Sequence, residues 1–499
     1  MKRRIILIMF GFFLIPFACE DPWEQHLDEY STARATQTLL EVIHTTPELS
    51  TFSELITQAS AEDLFTPTKL RTVWAPGNDA LAGLSEDITG DAGKLLQFIQ
   101  NHVTNGMHPK SIAEKEFRCK MLNGKRVTVD MSRTEIEGEE IGGTFNNIAT
   151  NGVLHQVNRV IELKPNVWEY IENTEPGNNQ VDFLNSLTGE LFVDSLATII
   201  DYDPQTSQPI YDTLSGTIWY NQYLFQNADL RNEDSLFTFL VLENHVFTEQ
   251  YERFRPYFRL PATDTRDTVV FRNYMVAIDL VASGSLTPGE IMGSLTSVNG
   301  IEVPFAPGAI SKTVHASNGV IYYLSSCDLS LEQKFPPIIV EGELESKVLY
   351  PQNQFGGFTR IKPLASGGLD YVFDDHDGSP GRIVYQAGMV AATRYNFYWK
   401  AVDDFGGTYF GSQPDSLIRQ KIEKVIYLPQ APLETRFPVH RTISDSLLYV
   451  DDLSYEDAQE KYCGSYTFAY YEDFWFHLVG SGNNTTLTLD YLKIVPVFE

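Results

Sequence analysis

The sequence predicts a multidomain chain of mixed class: two α+β repeats, then an all-β region of β-sandwich or jelly-roll type. Three observations predict it. First, Ala149-Thr150-Asn151-Gly152-Val153-Leu154-His155-Gln156-Val157 returns as Ala316-Ser317-Asn318-Gly319-Val320-Ile321-Tyr322-Tyr323-Leu324. Each is a polar Asn-Gly turn running into an apolar strand. Asn-Gly is a strong turn signal because both residues tolerate positive φ. Second, other landmarks repeat in the same order, as internal duplication requires. Third, past Gly342 the pattern changes to short β-branched and aromatic runs between turn residues.

The landmarks are specific. Thr72-Val73-Trp74-Ala75-Pro76-Gly77-Asn78 aligns with Thr238-Phe239-Leu240-Val241-Leu242-Glu243-Asn244, and Asn101-His102-Val103-Thr104-Asn105-Gly106 with Asp279-Leu280-Val281-Ala282-Ser283-Gly284. The step from Asn78 to Asn151 matches the step from Asn244 to Asn318 to within one residue. Each copy then carries a capping-box pattern, Ser111-x-x-Glu114 and Thr287-x-x-Glu290, in which hydroxyl and carboxylate satisfy the free amides of a helix start.

The strand into Ala-Pro-x-Asn-x-Ala, the His-Val-x-x-Gly and the Thr-Asn-Gly-x-x-His resemble a fasciclin (FAS1) domain. The resemblance covers residues 36–164 well. Over 165–343 it is degenerate, with Leu242, Leu280 and Tyr322 where the first copy has Pro76, His102 and His155. It implies two compact domains of sheet and short helices, adhesion or ligand binding rather than catalysis, and fold-supporting roles for His102 and His155. Fold alone does not fix function.

The elements follow in order. Leu39-Leu40-x-Val42-Ile43 predicts a first helix, and Thr51-x-x-Glu54 a cap on the next, with Phe52, Leu55 and Ile56 on one face. Leu70 to Trp74 reads as a strand and Leu95 to Val103 as a helix or a strand. Asn123-Gly124 predicts a hairpin between Met121-Leu122 and Val127-Thr128-Val129. Val167-Trp168-Glu169-Tyr170-Ile171 restarts the pattern. Glu169 then precedes Asn244 by 75 positions, against 37 from Glu41 to Asn78, so the second copy holds a 38-residue insertion near 191–232. Insertions of this length on a scaffold often carry function. This one contains Tyr211, Trp219, Tyr220, Tyr223 and Phe225, which either form an exposed site or pack a local hairpin; Thr217 to Phe225 reads as a strand.

In the third region, 344–499, strands are expected at 347–350, 357–361, 369–373, 382–385, 394–399, 424–428, 446–450, 465–471, 474–478 and 485–496. The last, around Leu489-Asp490-Tyr491-Leu492-Lys493-Ile494-Val495-Pro496, resembles the final strand of galactose-binding-like sandwiches. Tyr395, Tyr398, Trp399, Trp475 and Tyr491 are candidates for stacking on sugar rings, because an aromatic face is apolar and sugars expose C–H patches. Tyr398 and Trp399 are adjacent and face opposite sides of a strand, so at least one belongs to the core. Asp375 and Asp377, in Asp374-Asp375-His376-Asp377-Gly378, offer hard oxygens to Ca²⁺, although the distal bidentate acid of an EF-hand is missing and a plain acidic turn is the simpler reading. No other cofactor is indicated.

Composition bounds the rest. The chain has 499 residues, 43% hydrophobic and 12% aromatic, enough for ordinary cores. Its formal net charge of −29 repels phosphate backbones, so nucleic-acid binding is not expected. Lys2-Arg3-Arg4 and the apolar run from Ile5 to Phe17 read as a signal peptide over 1–18, too short to span a membrane. Ala18-Cys19 resembles a bacterial lipobox, which implies lipidation of Cys19 and stable anchoring through its acyl chains. Glu20-Asp21 behind it resembles the surface-export signal of Bacteroidetes-type lipoproteins, and 19–35 reads as a tether. That implies an outer-membrane, cell-surface location. The remaining cysteines, Cys119, Cys327 and Cys463, lie far apart, which favours buried free thiols over a disulfide framework. No Gly-x-Ser-x-Gly, His-Glu-x-x-His, Walker A or Gly-x-Gly-x-x-Gly motif occurs.

These features lead to the expectation of a non-enzymatic surface lipoprotein. The resemblance implies an accessory subunit of a SusC/SusD-like TonB-dependent uptake complex, through protein contact or ligand capture. The alternative is a stand-alone lipoprotein that binds a glycan or peptide or mediates adhesion. Trp219, Tyr220, Tyr223, Trp399 and Trp475 are the candidate contact residues.

Overall fold

The computed structural model describes residues 35–110, 116–140, 142, 146–174, 176–291, 293–344, 347–349, 357–374, 382–400, 421–422, 448–449, 460–479 and 486–498. The chain divides into two compact units, Met1–Lys164 and Pro165–Glu499.

In the first unit the strand Arg71–Pro76 lies at the centre of a four-stranded sheet, antiparallel to Val103–Asn105 and parallel to Gly152–Val157, which Asn147–Ala149 flanks. All six residues of Arg71–Pro76 are buried. Alternate side chains of a strand point to opposite faces. Val73 and Ala75 therefore join one core, with Leu39, Ile43, Phe52 and Phe98 from the helices, while Trp74 joins a second with Cys119, Val127 and Val129. A strand buried on both faces reads as a near-continuous apolar run, as Val73 to Pro76 does.

The helices start where polar caps sit. Thr38 caps Leu39–Thr45, and Glu41 reaches back to the Thr38 amide, closing a capping box. The expected Thr51/Glu54 cap is not made. The helix Ser50–Gln58 begins two residues before the start that a Thr51 cap would set, and has no side-chain cap of its own. The Thr51 amide instead donates to Asn78 Oδ1 (3.0 Å), a residue 27 positions on. Leu95–Gln100 resolves as the last part of the helix Ala92–Gln100, and Val103 begins a strand. The Asn123-Gly124 hairpin forms between Glu116–Lys120 and Arg126–Asp130, with Gly124 at φ +90°. The Ser111/Glu114 box lies outside the described residues.

The second unit repeats this sheet: Val281–Ser283, Phe237–Leu242, Gly319–Leu324 and Ile310–Ala316 in the same order and directions. The register repeats too, since Thr72 pairs with Val153 and Thr238 with Val320. The Thr72 hydroxyl donates to Gly106 O and accepts from His108 N (both 2.9 Å). The Thr238 hydroxyl makes the same pair with Gly284 O (2.7 Å) and Leu286 N (2.9 Å). Val167–Asn173 has its own capping box, Asn166 with Glu169. Thr287 and Glu290 do hydrogen bond as expected, but they close a turn and start no helix.

One local expectation is corrected. The hairpin loops are Thr150-Asn151 and Ser317-Asn318, because Ala149 pairs with Gly152 and Ala316 with Gly319. Neither Asn151 nor Asn318 has positive φ, whereas Gly152 and Gly319 do, at +159° and +155°. Glycine serves close approach here. A Cβ on Gly152 would stand 2.0 Å from Arg71 O, and one on Gly319 the same distance from Phe237 O.

The C-terminal strands form antiparallel sheets. Ile338–Glu341, which precedes position 344, pairs with the last strand, Tyr491–Val497, and that strand pairs with Arg394–Lys400, followed by Lys461–Thr467. Lys347–Leu349, Arg382–Val390 and Glu472–Val479 form another sheet, and Gly357–Ile361, Leu369–Asp374 and Thr486–Leu489 a third. The strand expected over 485–496 is two strands broken at Asp490. The cause is the Asp490 side chain: it is fully buried, accepts from Ser366 N (2.8 Å) and pairs with Lys400 (2.9 Å), contacts that need a bend. Lys424–Leu428 lies outside the described residues. One apolar core runs from the second repeat into these sheets, with Phe258 packed against Phe335 and Tyr471 (both 5.1 Å between centroids).

Candidate functional site

Only the second repeat carries the extra segment, between the helix Asn179–Ser186 and the helix Gln222–Gln226. It is a nested β-hairpin. Thr188–Phe192 pairs antiparallel with Thr217–Asn221, and Ile199–Tyr202 with Pro209–Tyr211. Backbone bonds from Val193 N to Gly216 O and from Asp212 N to Thr198 O, both 2.8 Å, join the two ladders. The tip is held by Asp203, whose carboxylate accepts from Gln205 N (2.8 Å) and Thr206 N (2.9 Å). Those amides hold its carboxyl below the usual range.

This arm has no core. From Thr188 to Tyr220 only Gly216 is buried. Ten large hydrophobic residues of that stretch are exposed, among them Leu214 at 87%, Trp219 at 69% and Ile200 at 64%. The charge is one-sided as well. No Lys, Arg or His occurs between Lys164 and Arg231, while Glu190, Asp194, Asp201, Asp203 and Asp212 lie on the arm. A soluble protein rarely shows an apolar patch beyond a few hundred Å² unless something binds there.

The arm separates the sequence candidates. Trp219 is exposed and Tyr220 half-buried, adjacent on one strand. Tyr223 is withdrawn from the contact set. Asn221 ends the strand, and its side-chain oxygen caps the helix that follows. Tyr223 consequently turns into the core beside Val181, Leu184 and Ala277, fully buried. Thr217–Phe225 is thus a strand and then a helix. Trp399 is also withdrawn, being fully buried among Tyr395, Phe397 and Leu492. Trp475 stands opposite Gln386 in its ladder. Cys19, Asp375 and Asp377 lie outside the described residues. Among the described residues, no group of three His, Cys, Asp or Glu is arranged to hold a metal, and no helix is long and apolar enough to cross a membrane. The aliphatic members of the patch, Leu196, Ile200 and Leu214, were not singled out from the sequence. The signal for them was the long cation-free stretch.

Elsewhere, two histidines and two cysteines are structural. His102 donates from Nδ1 to Phe98 O (2.8 Å) and accepts at Nε2 from Ile161 N (3.0 Å). His155 donates from Nε2 to His108 O (3.0 Å), accepts at Nδ1 from Asn146 N (3.2 Å) and stacks on Trp74. Burial lowers both rings to about 4, so each is neutral at physiological pH with both nitrogens occupied. Cys119 and Cys327 are buried free thiols, pushed up to about 12 by burial. Cys327 borders a surface depression of about 500 Å³ with Glu249 and Asp328, yet a thiol so raised is no nucleophile at neutral pH.

One comparison with known proteins bears on the first unit. Residues 47–163 match the family model of the fasciclin domain. This segment is a fasciclin domain. Among solved structures, a FAS1 domain pair from the insect cell adhesion molecule Fasciclin I aligns at 14% identity, over 57% of this chain and 98% of that one, with a TM-score of 0.21. An exo-β-1,3-galactanase from Phanerochaete chrysosporium aligns at 9% identity, over 43% of this chain and 47% of that one, with a TM-score of 0.19. A comparison with curated proteins finds no match.

Proposed function

We propose that this chain is a non-catalytic lipoprotein of the outer-membrane surface, anchored through Cys19, that docks as an accessory subunit on a SusC/SusD-like TonB-dependent uptake complex. In this reading the fasciclin domain is followed by a degenerate second copy and a β-sandwich of jelly-roll type, and the second copy carries the contact. The arm Thr188–Asn221 is the observation behind it. An ordered hairpin whose hydrophobic residues stay in water is stable in company, since covering it recovers about 25 cal/mol per Å² of apolar surface. The basic, apolar and lipobox-like start of the chain supports surface anchoring, and the adhesion-type fasciclin family supports a binding role.

The test is purification of the tagged, lipidated protein from mild-detergent outer membranes. Wild type is compared with a variant in which an Asn-Gly turn replaces residues 189–220. Recovery of a stoichiometric barrel and its lid with wild type, and loss of both with the shortened arm, supports the reading. Recovery of the chain alone in both cases overturns it and leaves the stand-alone glycan-binding or adhesion protein.

A further inference from the structure

The arm also carries information about what covers it. Successive residues of a strand face opposite sides. In two places of regular register along the arm both members of a successive pair are exposed: Leu191 and Phe192 (40% and 42%), and Ile218 and Trp219 (37% and 69%). Both faces of the ribbon are therefore apolar. A flat partner surface would cover one face and leave the other in water. Together the exposed side chains present on the order of 1,000 Å², more than the roughly 800 Å² that one side of a standard interface buries.

Charge narrows the occupant. The arm bears five carboxylates, and no cation occurs between Lys164 and Arg231. A second copy of the arm would bring like charges together, and an anionic lipid surface would repel it. We propose that the arm inserts into a cleft of a partner protein whose walls are apolar and whose rim carries lysine and arginine. This rests on the arm being the docking element and adds the chemistry of its receptor. The aliphatic and aromatic side chains fill the cleft from both faces, and Glu190, Asp194, Asp201 and Asp212 meet the basic rim. Charge pairing of this kind sets orientation and association rate. The ribbon also suits insertion because its outer edges are unpaired: each arm ladder has two strands only.

The experiment uses the full chain on its native cells with two probes. A photo-reactive residue at position 219 or 214 reports what touches the apolar faces. A carbodiimide, which joins a carboxylate directly to an amine, reports lysines beside the arm. The expected result is photo-cross-links from both positions into one partner protein, with carbodiimide links from Glu190 or Asp201 to lysines in neighbouring peptides of that protein. E190K/D201K, which alters two exposed side chains, is expected to lower the photo-cross-link yield about tenfold or more. Photo-cross-links to a protein with no carbodiimide link and no effect of E190K/D201K overturn the basic cleft while docking stands. Cross-links into lipid or a second copy of this chain overturn the proposed occupant. The absence of any protein cross-link at either position overturns docking itself.

Discussion

The side-chain oxygen of Asn318 accepts the backbone N–H of Val167, 151 positions earlier, at 2.9 Å. Its amide nitrogen donates to Leu230 O (2.9 Å) and Asn232 O (3.1 Å). Asn151 does the same in the first unit: it accepts from Leu39 N (2.7 Å) and donates to Phe65 O (3.0 Å) and Thr66 O (3.3 Å). One buried amide in each copy ties the first helix, the loop before the central strand and the closing hairpin together.

That arrangement needs both a donor and an acceptor. Asn151→Ala leaves a buried N–H and a buried carbonyl without partners, each costing about 1–3 kcal/mol. We expect a loss of about 2–4 kcal/mol for Asn151→Ala in the first unit and for Asn318→Ala in the second. Denaturant midpoints at constant slope measure it. A change below 1 kcal/mol in both would show the amides to be dispensable.

The two histidines make the first unit acid-sensitive. Burial lowers both to about 4, whereas an unfolded histidine titrates near 6.5. Between these values the unfolded chain binds more protons, so stability is complete above pH 6.5 and declines as pH falls toward 4. By linkage each ring contributes up to about 3 kcal/mol. The second copy has Leu280 and Tyr322 at the matching positions and lacks this contribution. Thermal melts from pH 7.5 to 4.5 should show the first unit losing stability through this window, and His102→Leu should flatten the slope. A flat profile for wild type contradicts the assignment.

Where the first copy has Asn101, the second has Asp279, and a cation accompanies the change. Lys334 is buried beside Asp279 and donates to it and to Met275 O, while Asn299 donates to the other carboxylate oxygen at 3.3 Å. Burial lowers the Lys334 pKa. Lys334→Met strands a buried carboxylate and should cost about 3–5 kcal/mol. Adding Asp279→Asn restores the residue type of the first copy and should recover most of that loss. A double-mutant cycle reads the coupling, and additive losses would count against the pair acting as a unit.

Trp399 and Trp219 should behave oppositely. Trp399→Ala opens a cavity in the core and should cost about 3–5 kcal/mol. Trp219→Ala removes an exposed side chain and should stay within about 0.5 kcal/mol. Equal losses at both positions would contradict the placement of the arm in solvent.

Much of the fold was legible because it is locally encoded. The first helix around Leu39-Leu40-x-Val42-Ile43, the Asn123-Gly124 hairpin and the apolar runs of the central strands each carry their signal within a few residues. The duplication made the pattern readable twice. What failed was non-local. Thr51 reads as a cap, but Asn78, at the start of another helix, accepts the amide there. Asn-Gly looked like a positive-φ turn, but the need at Gly152 comes from the Arg71 carbonyl beside it. The strand over 485–496 looked continuous, and Ser366 and Lys400 break it at Asp490.

The candidate site divides the same way. By itself the sequence showed an aromatic, cation-free insertion and set it near 191–232, whereas the exposed arm is Thr188–Asn221. Burial decided the rest. Tyr220 and Tyr223 are three residues apart and chemically alike, yet a helix cap at Asn221 turns Tyr223 into the core and leaves the strand before it in water. Hydrophobicity declares that a side chain prefers to be covered. Whether the chain covers it, or leaves it for another molecule, depends on which distant surfaces the tertiary fold brings to it.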